Sequence, residues 1–245
     1  MTTATQVAQL ASAFLQHYPD FVLEKREIFR IPVRHLVVGF SFAPPHYKGH
    51  VDLYWRVKFL FSPPHFLVGI GRQIDGANGF FGEDQTLPAR LLKEMERAAS
   101  EVIVSGTSLD NILSVQQHIN ASVGMPYPSQ ALMYAALGRF LEARAVVEKY
   151  LDLNWADANA YGTPPSVVLG SKQWEKRQRF KVQWLENLRN LDALRVMLAE
   201  EDPAPIAALW HEWEAMTVKV LELERFWEPS PFPFESKIAG AGSPS

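Results

Sequence analysis

The stretch that decides the fold is residues 33–73, VRHLVVGFSFAPPHYKGHVDLYWRVKFLFSPPHFLVGIGRQ. Its aromatic and β-branched residues fall into short runs, which two proline-containing turns, at residues 44–49 and 62–65, separate from one another. Such runs are typical of β-strands joined by tight turns. Short connections permit antiparallel pairing only, because parallel strands need a long crossover. The stretch therefore predicts an antiparallel meander.

The meander is predicted to contain four strands. They are expected at residues 21–31, 35–42, 51–61 and 66–74. In the third strand, side chains two residues apart share a face, because successive side chains of a strand point to opposite sides. One face is expected to hold Leu53, Trp55, Val57 and Phe59, and the other Tyr54, Arg56, Lys58 and Leu60.

Helices are predicted on both sides of the meander. Residues 5–18 carry apolar side chains at helical spacing, and Pro19 follows them. After the meander, a glycine-rich loop is expected at residues 75–85, and Thr86 is expected to cap the next helix. Further helices are expected at residues 86–105, from 108 or 110 to 121, at 129–150 as a hairpin that turns near Gly138, at 172–200 and at 203–227.

These elements predict an α+β fold. An N-terminal helix and a small antiparallel four-stranded meander are expected to pack with a larger C-terminal helical bundle. Residues 1–85 would form the helix and the sheet, and residues 86–228 the bundle, as two domains or as one continuous domain. Residues 229–245 are rich in Pro, Gly and Ser and are predicted to be a disordered tail.

The composition excludes several classes of protein. The 245 residues are 47% hydrophobic, which is enough for a substantial core. The absence of Cys excludes disulfides, thiol nucleophiles and cysteine-ligated metal sites. A net charge of −3 gives no basic footprint for nucleic acid, and the longest apolar runs are too short for a bilayer. Because no signal-peptide pattern begins the sequence, we expect a soluble cytoplasmic protein with neither nucleic acid nor membrane as its partner.

The glycine-rich loop is the first place that suggests a ligand. Asp75, Asn78, Glu83 and Asp84 crowd it, and oxygen ligands of this kind bind calcium. However, no carboxylate or amide follows two residues after Asp75, as the calcium-loop pattern requires. The loop also lacks the Gly-Lys-Ser/Thr ending of a phosphate-binding loop. A polar connection between strand and helix is the favoured interpretation.

Histidine and serine residues give no complete motif either. His46, His50 and His65 lie in or beside the predicted turns, but no carboxylate accompanies them at zinc-ligand spacing. Ser41 and Ser105 lack the flanking glycines of a nucleophile elbow. No catalytic residue, no metal site and no cofactor is therefore predicted.

Five Trp residues are concentrated in the last two predicted helices. They are Trp174, Trp184, Trp210, Trp213 and Trp227. At helical spacing, Trp210 and Trp213 share one face. Such a stripe is either a set of anchors for a protein partner or a seam between helices inside the domain. The sequence leaves both interpretations open.

Several segments together resemble one group of bacterial proteins. The strands carry Arg34-His35-Leu36, Gly39-Phe40-Ser41-Phe42, Asp52-Leu53-Tyr54-Trp55-Arg56-Val57, Phe59-Leu60-Phe61-Ser62-Pro63 and Gly71-Arg72-Gln73-Ile74. The hairpin carries ALMYAALGRF at residues 131–140. Between residues 21 and 151 the chain is similar to uncharacterised bacterial α+β proteins that are found beside polymorphic or secretion-system toxins. The resemblance implies an immunity protein, and it carries over no functional residue.

The leading hypothesis is a non-enzymatic immunity-type protein that binds a cognate bacterial toxin and neutralises it by occlusion. Such a role needs anchors and complementary charge rather than chemistry. If the toxin is a nuclease, acidic patches on this protein would mimic phosphate. The predicted partner-binding residues are Asp75, Glu83, Asp84, Glu200, Glu201, Asp202, Trp210 and Trp213.

Two other functions stay open at this point. A helical adaptor or structural protein would use the Trp-rich last helices and would bind a partner that is not a toxin. An enzyme would have its site in a cleft between sheet and helices, formed by His35, His46, His50, His65 or the loop at Asp75. The identity of the toxin and the oligomeric state stay open as well.

Overall fold

The structure is a computed structural model that describes residues 3–43, 49–63, 68–104, 109, 111–114, 128–160 and 168–236. It confirms a mixed α+β fold in which helices predominate. The chain forms two compact units. The sheet unit comprises Met1–Leu60, Gly69–Val115 and Val218–Ser230, and the helical unit comprises Phe61–Val68, Gln116–Thr217 and Pro231–Ser245. The boundary predicted at residue 85 falls inside the sheet unit.

The sheet is an antiparallel meander, as predicted, but it has five strands. They are β1 (Phe21–Glu24), β2 (Glu27–Arg30), β3 (Leu36–Phe42), β4 (His50–Phe59) and β5 (Gly69–Phe80), in the order β1-β2-β3-β4-β5. The predicted number of four is wrong, because residues 21–31 form a hairpin rather than one strand. Its turn follows the Glu24–Glu27 pair, and Lys25 adopts a left-handed φ of 56° there.

The last strand extends further than the sequence predicts. Residues 75–80, expected as part of a loop, continue β5 and pair with the start of β4, where Asp52 lies opposite Asn78. The register shifts between Asp52 and Tyr54. Gly76, with a φ of 80°, allows a backbone turn that other residues rarely adopt. The irregular pairing therefore keeps this glycine-rich segment in the sheet, and only residues 81–86 form a loop.

Two helices cover the apolar face of the sheet unit's strands. Helix α1 (Ala4–His17) begins with a capping box, in which Thr3 and Gln6 exchange hydrogen bonds between side chain and backbone. Its buried Phe14 packs edge-on against Phe40 of β3, with 5.2 Å between ring centroids. Helix α2 (Leu87–Ala98) runs on into a π-helical turn, Ala99–Val104.

A C-terminal segment returns to the other side of the sheet unit. Val218 and Leu223 are buried in one cluster with Phe29, Val33 and Val37. The segment also pairs with the sheet backbone, since Val33 N donates to the carbonyl of residue 226 and the nitrogen of residue 228 donates to Val33 O, each over 2.8 Å. Residues 218–230 therefore shield one end of a sheet face that solvent would otherwise reach.

The described part of the helical unit contains four long helices. Helices α3 (Pro128–Ala136) and α4 (Phe140–Ala160) form the predicted hairpin, which turns at Gly138 with a φ of 78°. Helix α5 (Lys172–Glu200) has its predicted bounds, whereas α6 (Pro203–Val220) ends before the predicted residue 227. Of the helix predicted up to residue 121, the structure describes residues 109 and 111–114, which are helical.

The segment after residue 230 is part of the core of the helical unit. Phe232 and Phe234 are buried and pack on the indole of Trp210, at centroid distances of 5.0 and 5.8 Å. Glu235 Oε2 accepts hydrogen bonds from Phe232 N over 2.7 Å and from His211 Nε2 over 3.0 Å. The prediction of a disordered tail is therefore wrong for residues 229–236, and residues 237–245 lie outside the described residues.

No helix in the described ranges is both long enough and apolar enough to cross a membrane.

We expect Phe232→Ala to lower the free energy of unfolding by about 3–5 kcal/mol, because the ring is fully buried and its loss leaves a cavity. Urea unfolding followed by circular dichroism measures this change. Leu141→Ala is the control in the same unit, since Leu141 is 63% exposed, and it should shift stability by about 0.5 kcal/mol at most. Equal effects of the two substitutions would contradict the packing described for the C-terminal segment.

Candidate functional site

The two faces of β4 differ as the sequence predicts. Leu53, Trp55, Val57 and Phe59 are buried on the face that packs against helices. Tyr54 and Lys58 are half-buried on the other face, and Arg56 between them is exposed. A sheet with one apolar and one polar face is typical of antiparallel strands. The polar face is therefore the place in the sheet unit where a ligand can reach side chains with hydrogen-bonding groups.

Glycines lie beside the two cations of this face. Across the strands, Arg56 lies between Gly39 of β3 and Gly71 of β5, and Lys58 has Gly69 of β5 as its neighbour. Side chains on neighbouring strands normally pack against one another at such positions. Because glycine has no side chain, Arg56 has bare backbone on both sides, whereas Lys58 has it on the β5 side alone and Val37 of β3 on the other.

These glycines cannot be replaced without moving the backbone. A Cβ at Gly39 would lie 1.9 Å from the carbonyl oxygen of Ile28, and a Cβ at Gly71 would lie 2.6 Å from that of Trp55. A Cβ at Gly69 would come within 2.3 Å of the Val57 oxygen. Glycine within a strand is often the mark of such a close approach between backbones. The absence of side chains next to Arg56 is thus a consequence of how closely the strands approach one another.

Arg56 is held by an aromatic ring and not by a carboxylate. Its guanidinium carbon lies 5.3 Å from the centroid of the Tyr54 ring, which is the range of a cation–π contact. Among the described residues, no acidic side chain lies within ion-pairing distance of Arg56. The guanidinium therefore presents its hydrogen-bond donors to solvent from an ordered support.

Lys58 differs from Arg56 because its charge is neutralised within the sheet. Its Nζ contacts both carboxylate oxygens of Glu27 over 2.5 and 2.6 Å, and only 15% of its side chain is exposed. A small, open depression of about 10 Å³ lies over this pair, with Gly39, Ser41 and Arg56 in its lining. We call Glu27, Ser41, Tyr54, Arg56 and Lys58, with the glycines beside them, the Arg56 face.

The chemistry of the Arg56 face is that of binding. The guanidinium offers two parallel N–H donors, which match a carboxylate in geometry and charge. Since Glu27 and Lys58 cancel each other, Arg56 leaves the face with one net positive charge. The arrangement can therefore hold a single carboxylate, such as an acidic side chain of a partner, against Arg56.

We expect Gly39→Ala to destabilise the protein by at least about 2 kcal/mol, because the added methyl group collides with the backbone of β2. Ser41→Ala, two residues further along the same strand face, already has a Cβ that fits, and it should change stability by about 0.5 kcal/mol at most. Thermal unfolding of both variants tests the close approach. A Gly39→Ala variant as stable as Ser41→Ala would show that β2 and β3 are further apart than described.

The predicted acidic residues after β4 have mainly structural contacts. Asp75 is exposed on β5 and pairs with Arg72 over 3.0 Å. Asp84 accepts hydrogen bonds from the nitrogen and hydroxyl of Thr86 over 2.9 and 2.6 Å, and from Arg90 over 2.8 Å. The carboxylate of Asp84, not the hydroxyl of Thr86 as predicted, holds the start of α2. Glu83 beside it is exposed.

These contacts lower the pKa of the Asp84 carboxyl. The hydrogen bond from the Thr86 hydroxyl, followed by those from the Thr86 backbone and Arg90, holds the pKa of the Asp84 carboxyl below its ordinary value near 3.8. A carboxyl whose pKa is lower in the folded than in the unfolded state stabilises the fold above that ordinary value. This stabilisation is lost as the pH falls through the folded pKa.

Asp84→Asn tests this contribution, because the amide keeps the shape of the side chain and an oxygen acceptor but has no charge. We expect the variant to unfold at a lower urea concentration than the wild type at pH 7, and the difference to shrink as the pH falls below about 4. Other carboxyls titrate in both proteins, so the difference between the two isolates Asp84. A difference that stays constant from pH 7 to pH 2.5 would contradict the lowered pKa.

The other predicted partner-binding residues belong to the helical unit. Glu200, Glu201 and Asp202 are exposed at the turn from α5 to α6. Asp202 Oδ1 accepts a hydrogen bond from Ala204 N over 3.0 Å, so this carboxylate caps α6. Trp210 and Trp213 are 0% and 4% exposed. As anchors for a partner these two predictions are wrong, because buried indoles pack inside the unit, and the interpretation as an internal seam is the one that fits.

The metal-site and nucleophile patterns find no support in the described part of the chain. His46, His65 and Ser105 lie outside the described residues. His50 begins β4, and its Nδ1 lies 3.1 Å from a carboxylate oxygen of Asp52. The described ranges hold no group of three side chains that is placed to bind a metal ion.

The Arg56 face was missed as a site, although the sequence carries its signal. The alternation of β4 placed Tyr54, Arg56 and Lys58 together on one side. Glycines within the neighbouring strands are the second signal, since glycine inside a strand marks a close backbone approach. The pairing register that brings the glycines beside Arg56 could not be read from the sequence.

Comparison with protein-family models, with curated proteins and with solved structures finds no match for this chain.

Proposed function

We propose that this protein is a non-enzymatic, immunity-type inhibitor that binds a cognate bacterial protein toxin and neutralises it by occlusion. The observation that carries the proposal is the Arg56 face, in which an exposed guanidinium rests on Tyr54 between glycines. Arg and Tyr are among the residues that contribute most to the affinity of protein interfaces. The Arg56 face takes the place of the acidic and Trp residues as the principal anchor.

Such an anchor binds tightly because its side chain is preorganised in the free protein. The ring of Tyr54 and the backbone of the paired strands support Arg56, so little side-chain freedom is lost when a partner binds. An acidic side chain of the toxin would accept two hydrogen bonds from the guanidinium. These features favour a macromolecular surface over a small ligand, which the shallow cavity would hardly enclose.

Inhibition by occlusion needs no turnover. A protein that covers the active site of a toxin, or fixes the toxin in one conformation, blocks activity for as long as the complex lasts. Tight complexes of this kind depend mainly on slow dissociation. A rigid sheet is well suited to it, because the binding residues keep their positions in the free protein.

The proposal is tested with the protein's own genetic locus. A reading frame beside the gene is expressed alone and together with this protein, and growth and complex formation are measured. We expect the neighbouring product to arrest growth when expressed alone, this protein to restore growth, and the two to co-purify in a fixed ratio. A locus-encoded partner that binds but never arrests growth would contradict the proposal that the partner is a toxin, and would favour the function of an adaptor.

Arg56→Ala should weaken binding of that toxin by about 30-fold, since truncating a hot-spot residue costs about 2 kcal/mol. Arg56→Lys keeps the charge but not the planar fork of donors, so we expect an intermediate loss. Isothermal titration or surface plasmon resonance measures both affinities.

Arg72→Ala is the matched control for this series. Arg72 is exposed on the opposite side of β5 and pairs with Asp75, so its removal should alter affinity by less than about threefold. Thermal unfolding checks that each variant is folded. If Arg56→Ala binds as well as the wild type, the Arg56 face is not the docking surface.

A further inference from the structure

The first half of α5 carries a row of cations. Lys172, Lys176 and Arg179 follow at intervals of four and three residues, which brings them to one side of the helix. All three are exposed. Among the described residues, no acidic side chain forms an ion pair with any of them. We call these three residues the α5 cation stripe.

This arrangement is unfavourable in the free protein. Lys172 is the first residue of α5, where the helix dipole is positive and stabilises anions rather than cations. Lys172 and Lys176, four residues apart, repel each other, and so do Lys176 and Arg179. Glu175, in the first turn beside the stripe, offsets only part of this repulsion. A local conflict of this kind, which lowers stability without a structural benefit, is typical of a residue set that serves binding.

Exposed apolar side chains flank the stripe on both sides. Val182 is 63% exposed and Phe180 52% exposed. With 100° between successive residues, they lie about 80° to either side of the stripe. Immediately before the helix, Val168 and Leu169 are 74% and 77% exposed. Exposed apolar side chains beside the cations give a partner surface that it can bury as well as charges that it can pair.

The same pattern argues against the other anionic occupants. A helix that lies on a membrane has one continuous apolar face, whereas here the cations divide the apolar residues into two sets. Nucleic acid binding calls for a broad basic surface, and the chain as a whole has a net charge of −3. Phe180 is the one aromatic ring among the apolar flanks named here, whereas binding of single strands relies on several rings on which successive bases stack.

We infer that the α5 cation stripe and its apolar flanks form a docking surface for an acidic, partly apolar surface of a protein. The inference deepens the proposed function, since it gives the chemistry that the toxin would present to the helical unit. Binding relieves the repulsion within the stripe, because carboxylates of the partner add to the single negative charge that Glu175 supplies in the first turn. Charges of this kind also accelerate association at low salt.

The first arm of the test needs no partner. Lys172→Glu places a negative charge at the start of α5 and turns the repulsive pair with Lys176 into a favourable one, and these two gains outweigh the new repulsion from Glu175. We expect its melting temperature to rise by about 2–4 °C. Lys219→Glu is the opposite control, since Lys219 lies in the last turn of α6, where a cation is favourable, and its melting temperature should fall. A melting temperature that falls for Lys172→Glu would overturn the claim that the stripe is unfavourable in the free protein.

The second arm measures binding to poly-L-glutamate as the acidic probe, at about 50 and 300 mM salt. We expect the wild type to bind at low salt and lose affinity at high salt, and a triple variant, K172E/K176E/R179E, to bind at least tenfold more weakly. Lys149→Glu, an exposed position on α4, is the control for a charge reversal elsewhere in the helical unit. It should bind as the wild type does.

Other outcomes overturn the inference. Equal binding by the wild type and the triple variant would show that the stripe is not the docking surface. Binding of phosphatidylserine vesicles or single-stranded DNA through the stripe, without binding of poly-L-glutamate, would replace the acidic protein by a membrane or a nucleic acid. The proposed function fails separately, if the stripe binds the probe and yet no protein from the locus arrests growth.

Discussion

The constraint on which the rest of the structure depends is the close approach of β2 and β3 at Gly39. A Cβ there would lie only 1.9 Å from the Ile28 carbonyl oxygen, so the two strands can pair at this distance only because position 39 is glycine. Gly39 lies opposite Phe29 of β2 on one side and opposite Arg56 of β4 on the other. One steric requirement thus shapes both the sheet and its exposed guanidinium.

The fold could be predicted where local patterns decide it. The faces of β4, the bounds of α5 and the hairpin that turns at Gly138 follow from periodicity and from residues with a special backbone conformation. The number of strands, five, could not be predicted, because the turn of the hairpin at Lys25 contains neither Gly nor Pro. Nor could the burial of Phe232, since its segment has the Pro-rich composition of a linker and is fixed by contacts with distant residues.

The candidate site shows the same division. Which side chains share the Arg56 face is a property of one strand and can be read from the sequence. That glycines lie on both sides of Arg56 depends on pairing between three strands, which no single segment specifies. The cations of the candidate site were likewise not among the predicted binding residues. The acidic residues were predicted as phosphate mimics for a nuclease toxin, and this stays a prediction, whereas Arg56 and the α5 cation stripe are cations without an ion pair in the described part.

The central claim is that Arg56 is covered when the protein binds its partner. Modification of arginine by phenylglyoxal, followed by peptide mass spectrometry, measures this directly in the free protein and in the complex with the toxin from its locus. The account predicts that Arg56 reacts in the free protein and is protected in the complex, while Arg72, exposed on the other side of the sheet, reacts in both. Equal reaction of Arg56 in the free and bound protein would contradict the account.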